Sequence, residues 1–208
     1  MQALLVHGMG RTSLSWTPTL IRLRTAGIRP TTFGYSAASE KVSVINRRLI
    51  KSIVRLSQRG EYVLVGHSLG GVLLRAALQA LPEGTTLPKF LFLVGSPITA
   101  SRLAVRLKTN PVFRLATRDC GRMLGSTERM LAVAASPVPT VAIVGTRGMK
   151  GRFTAFGNEP NDSVVAVSEA SADWFQEEVY VPVVHTLLPA SKWVADVIVA
   201  RVCGDGVA

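Results

Sequence analysis

Cysteine, aromatic side chains and negative charge are all scarce in this chain of 208 residues, and each scarcity excludes something. Two cysteines, Cys120 and Cys203, are too few and too far apart in sequence for a disulfide framework, and no metal-ligand spacing is present, so no metal is expected. Inert or buried thiols fit a reducing compartment, and a cytoplasmic location is the expectation. Aromatic residues make up 6% of the chain and the basic residues are spread out rather than bunched, which argues against a nucleic-acid site. No apolar run approaches the ~20 residues of a membrane span. The N-terminus lacks a charged n-region and a cleavage site; "QALLVHG" reads as a strand that begins at once. Acidic residues number 13 against 24 Lys and Arg, and the net charge of +11 fits a solvated basic surface weakly attracted to anionic surfaces.

What is present is a globular composition, 48% hydrophobic and 18% charged, in a chain of one-domain length, residues 1–208. Strand-like runs recur at 2–6, 29–35, 62–66, 89–95, 140–145 and 178–184. Helical patterns separate them. "TPTLIRLRTAG" gives a short helix with Pro18 in its first turn and Gly27 as its stop. Val42, Ile45, Leu49, Ile53 and Leu56 recur at helical spacing, with Arg47, Arg48, Lys51 and Arg55 between them. Such alternation predicts an α/β fold, a parallel sheet covered on both faces. One connection is long. Residues 97–138 carry seven basic residues against Asp119 and Glu128; part of this stretch should be a sheet-covering helix, and the remainder is open between more core helix and a small cap over the site.

The chemistry concentrates in "YVLVGHSLGGVLLRAALQAL", residues 62–81. A β-branched strand runs straight into a helix that is apolar nearly all round, and Ser68 sits at the corner. G-x-S-x-G alone is a weak pattern, but at a strand-to-helix junction it describes a nucleophile elbow. Gly66 and Gly70 remove side chains that would collide across the turn, Gly71 allows close packing, and the helix N-terminus aims its free N–H groups at the serine. A plain tight turn is the alternative.

A serine nucleophile needs a base. His67 is adjacent to Ser68 and cannot easily turn back to it, and His7 ends the first strand in "VHGMG". His185 follows the last strand in "VPVVHTLLP", at the C-terminal edge where parallel-sheet sites lie, and is the candidate base. The orienting carboxylate is assigned to Asp162 in "FGNEPNDSVVAVSEA", with Glu159, Asp173 and Asp196 as competitors. After the first strand comes a Gly-rich turn whose Met9 amide is the candidate to hold an oxyanion together with that of Leu69; an ordinary strand-to-helix turn, which glycine also favours, is the alternative.

"LLVHGMG", "VGHSLGG" and "NDSVVAVSEA … VYVPVVHT" together resemble the α/β-hydrolase superfamily, in particular small bacterial lipases and esterases and the GPI-inositol-deacylase-like hydrolases. The elbow and histidine segments match well. The acid segment departs in carrying Ser163 where many relatives have glycine. The resemblance implies a trimmed α/β-hydrolase fold of about six mainly parallel strands with helices on both faces. It also implies hydrolysis of small-molecule or lipid carboxylic esters by Ser68, His185 and Asp162 through an acyl-enzyme, without a cofactor. Acyl transfer or thioester hydrolysis would run on the same machinery. A binding module that kept the fold is the alternative from another class, and the intact set of residues argues against it.

Overall fold

Six apolar runs form strands β1 (Gln2–Val6), β2 (Arg29–Phe33), β3 (Tyr62–His67), β4 (Leu91–Val94), β5 (Thr140–Gly145) and β6 (Glu177–Val181) in the computed structural model, which describes residues 1–204. They make one sheet in the order β2-β1-β3-β4-β5-β6, and every neighbouring pair is parallel. Three strands are shorter than their apolar runs. β2 stops at Phe33 because Tyr35 leaves the ladder to stack on His7 at 4.3 Å between ring centroids. β4 ends where Gly95 turns to φ +52°. β6 ends before Pro182, which has no N–H to give the ladder.

Side chains alternate along each strand, so a buried parallel sheet must be apolar on both faces. Leu4, Val6 and Leu64 face helices α2 (Val42–Ser57) and α3 (Leu69–Gln79) in one cluster with Ile45, Leu49 and Leu73. Ala3, Leu5, Val63 and Val65 face the other way, toward Leu23 of α1 (Thr17–Thr25) and Val194 and Ile198 of α8 (Lys192–Cys203). α7 (Val167–Ala170) is a single turn before β6. Among the described residues no helix is long and apolar enough to cross a membrane.

The long connection folds into α4 (Arg102–Leu107), α5 (Pro111–Leu124) and α6 (Thr127–Leu131). Each starts at a side-chain cap. Ser101, Asn110 and Ser126 accept from the backbone N–H three residues on, which satisfies donors the helix itself leaves free. Cys120, Met123 and Leu124 from the second half of α5 join the core beside α2 and α3, so this half covers the sheet. The first half is turned outward, with Val112 73% and Leu115 70% exposed. Between the halves the helix kinks at Arg118, whose φ of 42° and ψ of −121° are not helical.

The helix after the serine departs from its all-apolar reading at Arg75, which is buried. Its guanidinium donates to the Val133 and Ala134 carbonyls and lies 5.2 Å from the centre of the Trp174 ring. Burial lowers its pKa to about 10. The side chain ties α3 to the end of the long connection, a contact only tertiary structure reveals.

Candidate active site

Strand order reverses at β1, which lies between β2 and β3, and the crevice at such a point receives ligands in open α/β sheets. Ser68 follows β3 there at φ 53° and ψ −124°, a conformation that costs a non-glycine residue about 1–3 kcal/mol. Its surroundings hold it. The Ser68 N–H donates to the Val94 carbonyl at 2.9 Å, and its own carbonyl accepts from Gly71 N–H at 3.0 Å and Ser96 Oγ at 2.9 Å.

The glycines act at identifiable contacts. A Cβ on Gly66 would lie 2.5 Å from the backbone of Gly71, directly across the elbow. One on Gly70 would lie 2.4 Å from the Val6 carbonyl oxygen, so this glycine clears β1 rather than the turn itself. One on Gly71 would meet Ser96 Oγ at 2.4 Å. Ser96, which the motif reading overlooked, is therefore packed against the helix start as well as bonded to the serine carbonyl.

His185 opens a short 3₁₀ turn after β6, and its Nδ1 lies 2.6 Å from Asp162 Oδ2. The other carboxylate oxygen, Oδ1, accepts from the Val164 and Val165 N–H groups at 2.9 and 2.7 Å. Backbone bonds lock the two segments together, since His185 N–H donates to the Asp162 carbonyl and Asp162 N–H to that of Val165. Gly95 makes room for the pair: a Cβ there would lie 3.1 Å from Asp162 Oδ2 and 3.2 Å from His185 Nδ1. The competing carboxylates are elsewhere. Glu159 pairs with Arg102, Asp196 pairs with Arg22 on the surface, and Asp173 is exposed.

The acid loop owes its shape to Asn161 and Ser163. Asn161 is fully buried, donates from Nδ2 to the Met149 and Glu159 carbonyls, and accepts from Ser163 N–H. Ser163 has φ +84°, the left-handed region that glycine enters freely and serine only with strain. Its Oγ accepts from Met149 N–H. Asn161 gave no sequence signal beyond its place beside the acid.

All three histidines have defined places. His7 donates from Nδ1 to the Gly8 carbonyl and accepts the Tyr35 N–H at Nε2, so it is neutral and braces the first Gly-rich turn. Burial lowers its pKa. His67 is buried beneath His185, with the two ring centroids 4.6 Å apart and the Trp16 ring at its edge. Its Nε2 must carry the proton, because it meets the His185 carbonyl at 3.1 Å. Burial first, and then the neighbouring His185, hold its pKa well below the ordinary histidine value. The excluded base is thus a support under the candidate one.

Ser68, His185 and Met9 line one cavity of about 170 Å³, whose other walls include Leu103, Ala104, Phe113 and Leu124. Asp162 stands behind His185, leaving Nε2 as the ring nitrogen not engaged by the carboxylate. Leu69 is the first residue of α3, so its N–H has no acceptor within the helix. Three separate stretches of sequence thus bring Met9, Ser68 and His185 to one cavity, with Asp162 bonded to His185 from a fourth and Leu69 next to Ser68 in the chain.

These features define the class, a parallel α/β protein with a serine at a strand-to-helix elbow. The chain belongs to the alpha/beta hydrolase family, which it matches over residues 3–205. Over 95 residues it is 32% identical to a rice protein (Oryza sativa subsp. indica) designated probable esterase PIR7A, covering 41% of this chain and 36% of that one. The chain thus matches about a third of the length of that relative. The mature lipase BlEst2 of Bacillus licheniformis has a similar structure, with a TM-score of 0.74 at 15% identity, over 96% of this chain and 91% of that one. The RedJ thioesterase of Streptomyces coelicolor follows with a TM-score of 0.57 at 14% identity, over 99% and 90%. At such identities the likeness is one of fold.

Proposed function

We propose that this protein is a serine hydrolase that cleaves carboxylic esters through an acyl-enzyme. The observation that carries this reading is the Asp162–His185 pair beside the cavity that Ser68 also lines. Ser68 Oγ attacks the ester carbonyl carbon while His185 Nε2 takes its proton, and Asp162 keeps the other ring proton on Nδ1. The Met9 and Leu69 amides stabilise the oxyanion. As the tetrahedral intermediate collapses, the C–O bond to the alcohol breaks and His185 returns the proton to the leaving oxygen. Water, deprotonated by His185, then attacks the acyl-Ser68 carbonyl, releasing the carboxylic acid and restoring the serine hydroxyl.

The apolar walls from α4 and α5 suit the acyl chain, with about 0.8 kcal/mol gained per buried methylene. The designation of the rice relative supports the same reading. Hydrolysis of p-nitrophenyl esters tests it. Ser68→Ala should lower kcat by roughly 10³ or more with the circular dichroism spectrum unchanged. Undiminished hydrolysis by that variant would overturn the assignment.

A further inference from the structure

A second, open pocket of about 200 Å³ lies along α5 and the end of α4, where the exposed residues Lys108, Arg114, Arg118 and Arg122 line it together with Phe113 and Thr117. Half of its eight lining residues are cationic and none is acidic. Among the described residues, none of these four cations forms an ion pair. Of the other basic groups of the connection, Arg102 pairs with Glu159 and Glu169 and Arg129 with Asp119, while Arg106, outside this pocket, has no ion pair among the described residues. Asp119 follows Arg118 directly, but its two oxygens are taken by Arg129 and the Val42 N–H. The α5 kink falls at Arg118, in a backbone conformation that non-glycine residues rarely adopt.

Two contacts join this cavity to the candidate active site. Phe113 lines both. Gly125, on the cationic side, packs against Ala104, which lines the catalytic side. A ligand lying along Phe113 would therefore present one end to Ser68 and the other to four guanidinium and ammonium groups. Arginine forks match phosphate and carboxylate oxygens in pairs.

We propose that this pocket binds an anionic group, a phosphate or a carboxylate, carried on the acyl part of the substrate, so that the enzyme prefers negatively charged esters. The proposal rests on the ester-hydrolase reading above, and it specifies the substrate class. The apolar ring and aliphatic stems seat the methylenes between the two ends, and the cations fix the register.

The test compares p-nitrophenyl octanoate with the p-nitrophenyl monoester of suberic acid, which has the same acyl length and ends in a carboxylate. At low salt the wild type should favour the charged ester in kcat/KM by about tenfold. Either 0.5 M NaCl or the double change Arg114→Gln/Arg118→Gln should bring the ratio close to one. The salt arm needs no variant to fold. A wild-type ratio of one or less, or a preference unmoved by both treatments, would overturn the proposal. If neither ester is cleaved, the hydrolase reading fails on its own, and calorimetric titration of Ser68→Ala with octyl phosphate still tests the pocket. Binding that is weakened by the double change supports it. No binding, inorganic phosphate bound as tightly as octyl phosphate, or binding only to anionic vesicles would each refute it.

Discussion

The Asp162 carboxylate accepts from two backbone N–H groups on one oxygen and faces His185 with the other, so its geometry is set before any substrate arrives. In Asp162→Asn the side-chain oxygen can still take the Val164 and Val165 donors, and the loop should survive. The amide would then point NH₂ at Nδ1 and favour the wrong histidine tautomer. A fall in kcat of about 10⁴ is expected, with thermal stability little changed. Steady-state kinetics beside Glu159→Gln and Asp173→Asn decide the matter, since a comparable loss in either of those would relocate the acid. At this scale the sequence was informative where chemistry follows from local backbone. Ser68 sits between glycines, His185 just past a strand and Asp162 in a polar turn. Ser96, His67 and Arg75 were not legible, because each acts through a partner distant in sequence, and Asn161 was not because its turn bonds to Glu159 and Ser163 resemble those of any polar loop.

At the scale of elements, the helices and strands were readable wherever apolar periodicity was undisturbed, as in α2 with Ile45, Leu49 and Ile53 all fully buried. Their ends were less so. The run "VYVPVV" is apolar throughout and suggests a longer strand, but β6 stops before Pro182, which has no N–H for the ladder. The sheet-covering helix of the long connection was readable from its apolar residues, and it is the second half of α5. Nothing local announces its kink at Arg118, a residue with ordinary helix propensity. Glycine 70 shows how element packing sets the site: it lets α3 approach β1 so closely that a methyl group would overlap the Val6 carbonyl.

For the whole molecule, two buried histidines give stability a pH dependence with a definite sign. Both His7 and His67 have folded-state pKa values below the ordinary 6.5, chiefly through burial. The unfolded chain therefore binds more protons beneath that pH. Their contribution is fully present above about 6.5 and is lost as pH falls, by at most about 1.4 kcal/mol per pH unit for each group. The paired carboxylates Glu40, Asp119, Glu159 and Glu177 have lowered pKa values, so their loss begins only in more acidic solution. Urea unfolding should thus show lower stability at pH 5.5 than at pH 7.5, with a smaller difference in His67→Asn. Equal stability at the two pH values would contradict this account of the buried rings.

The central claim is that Ser68 is an activated nucleophile, and covalent labelling by a fluorophosphonate probe tests it without assuming a substrate. Such a probe reacts with a serine whose proton is taken by a neighbouring base and passes over unactivated hydroxyls. Intact-mass spectrometry should show one adduct per wild-type chain, and peptide mapping should place it on Ser68. Ser68→Ala should remain unlabelled, and His185→Ala should label far more slowly. An adduct at another residue, or a wild-type protein that stays unmodified, would contradict the account.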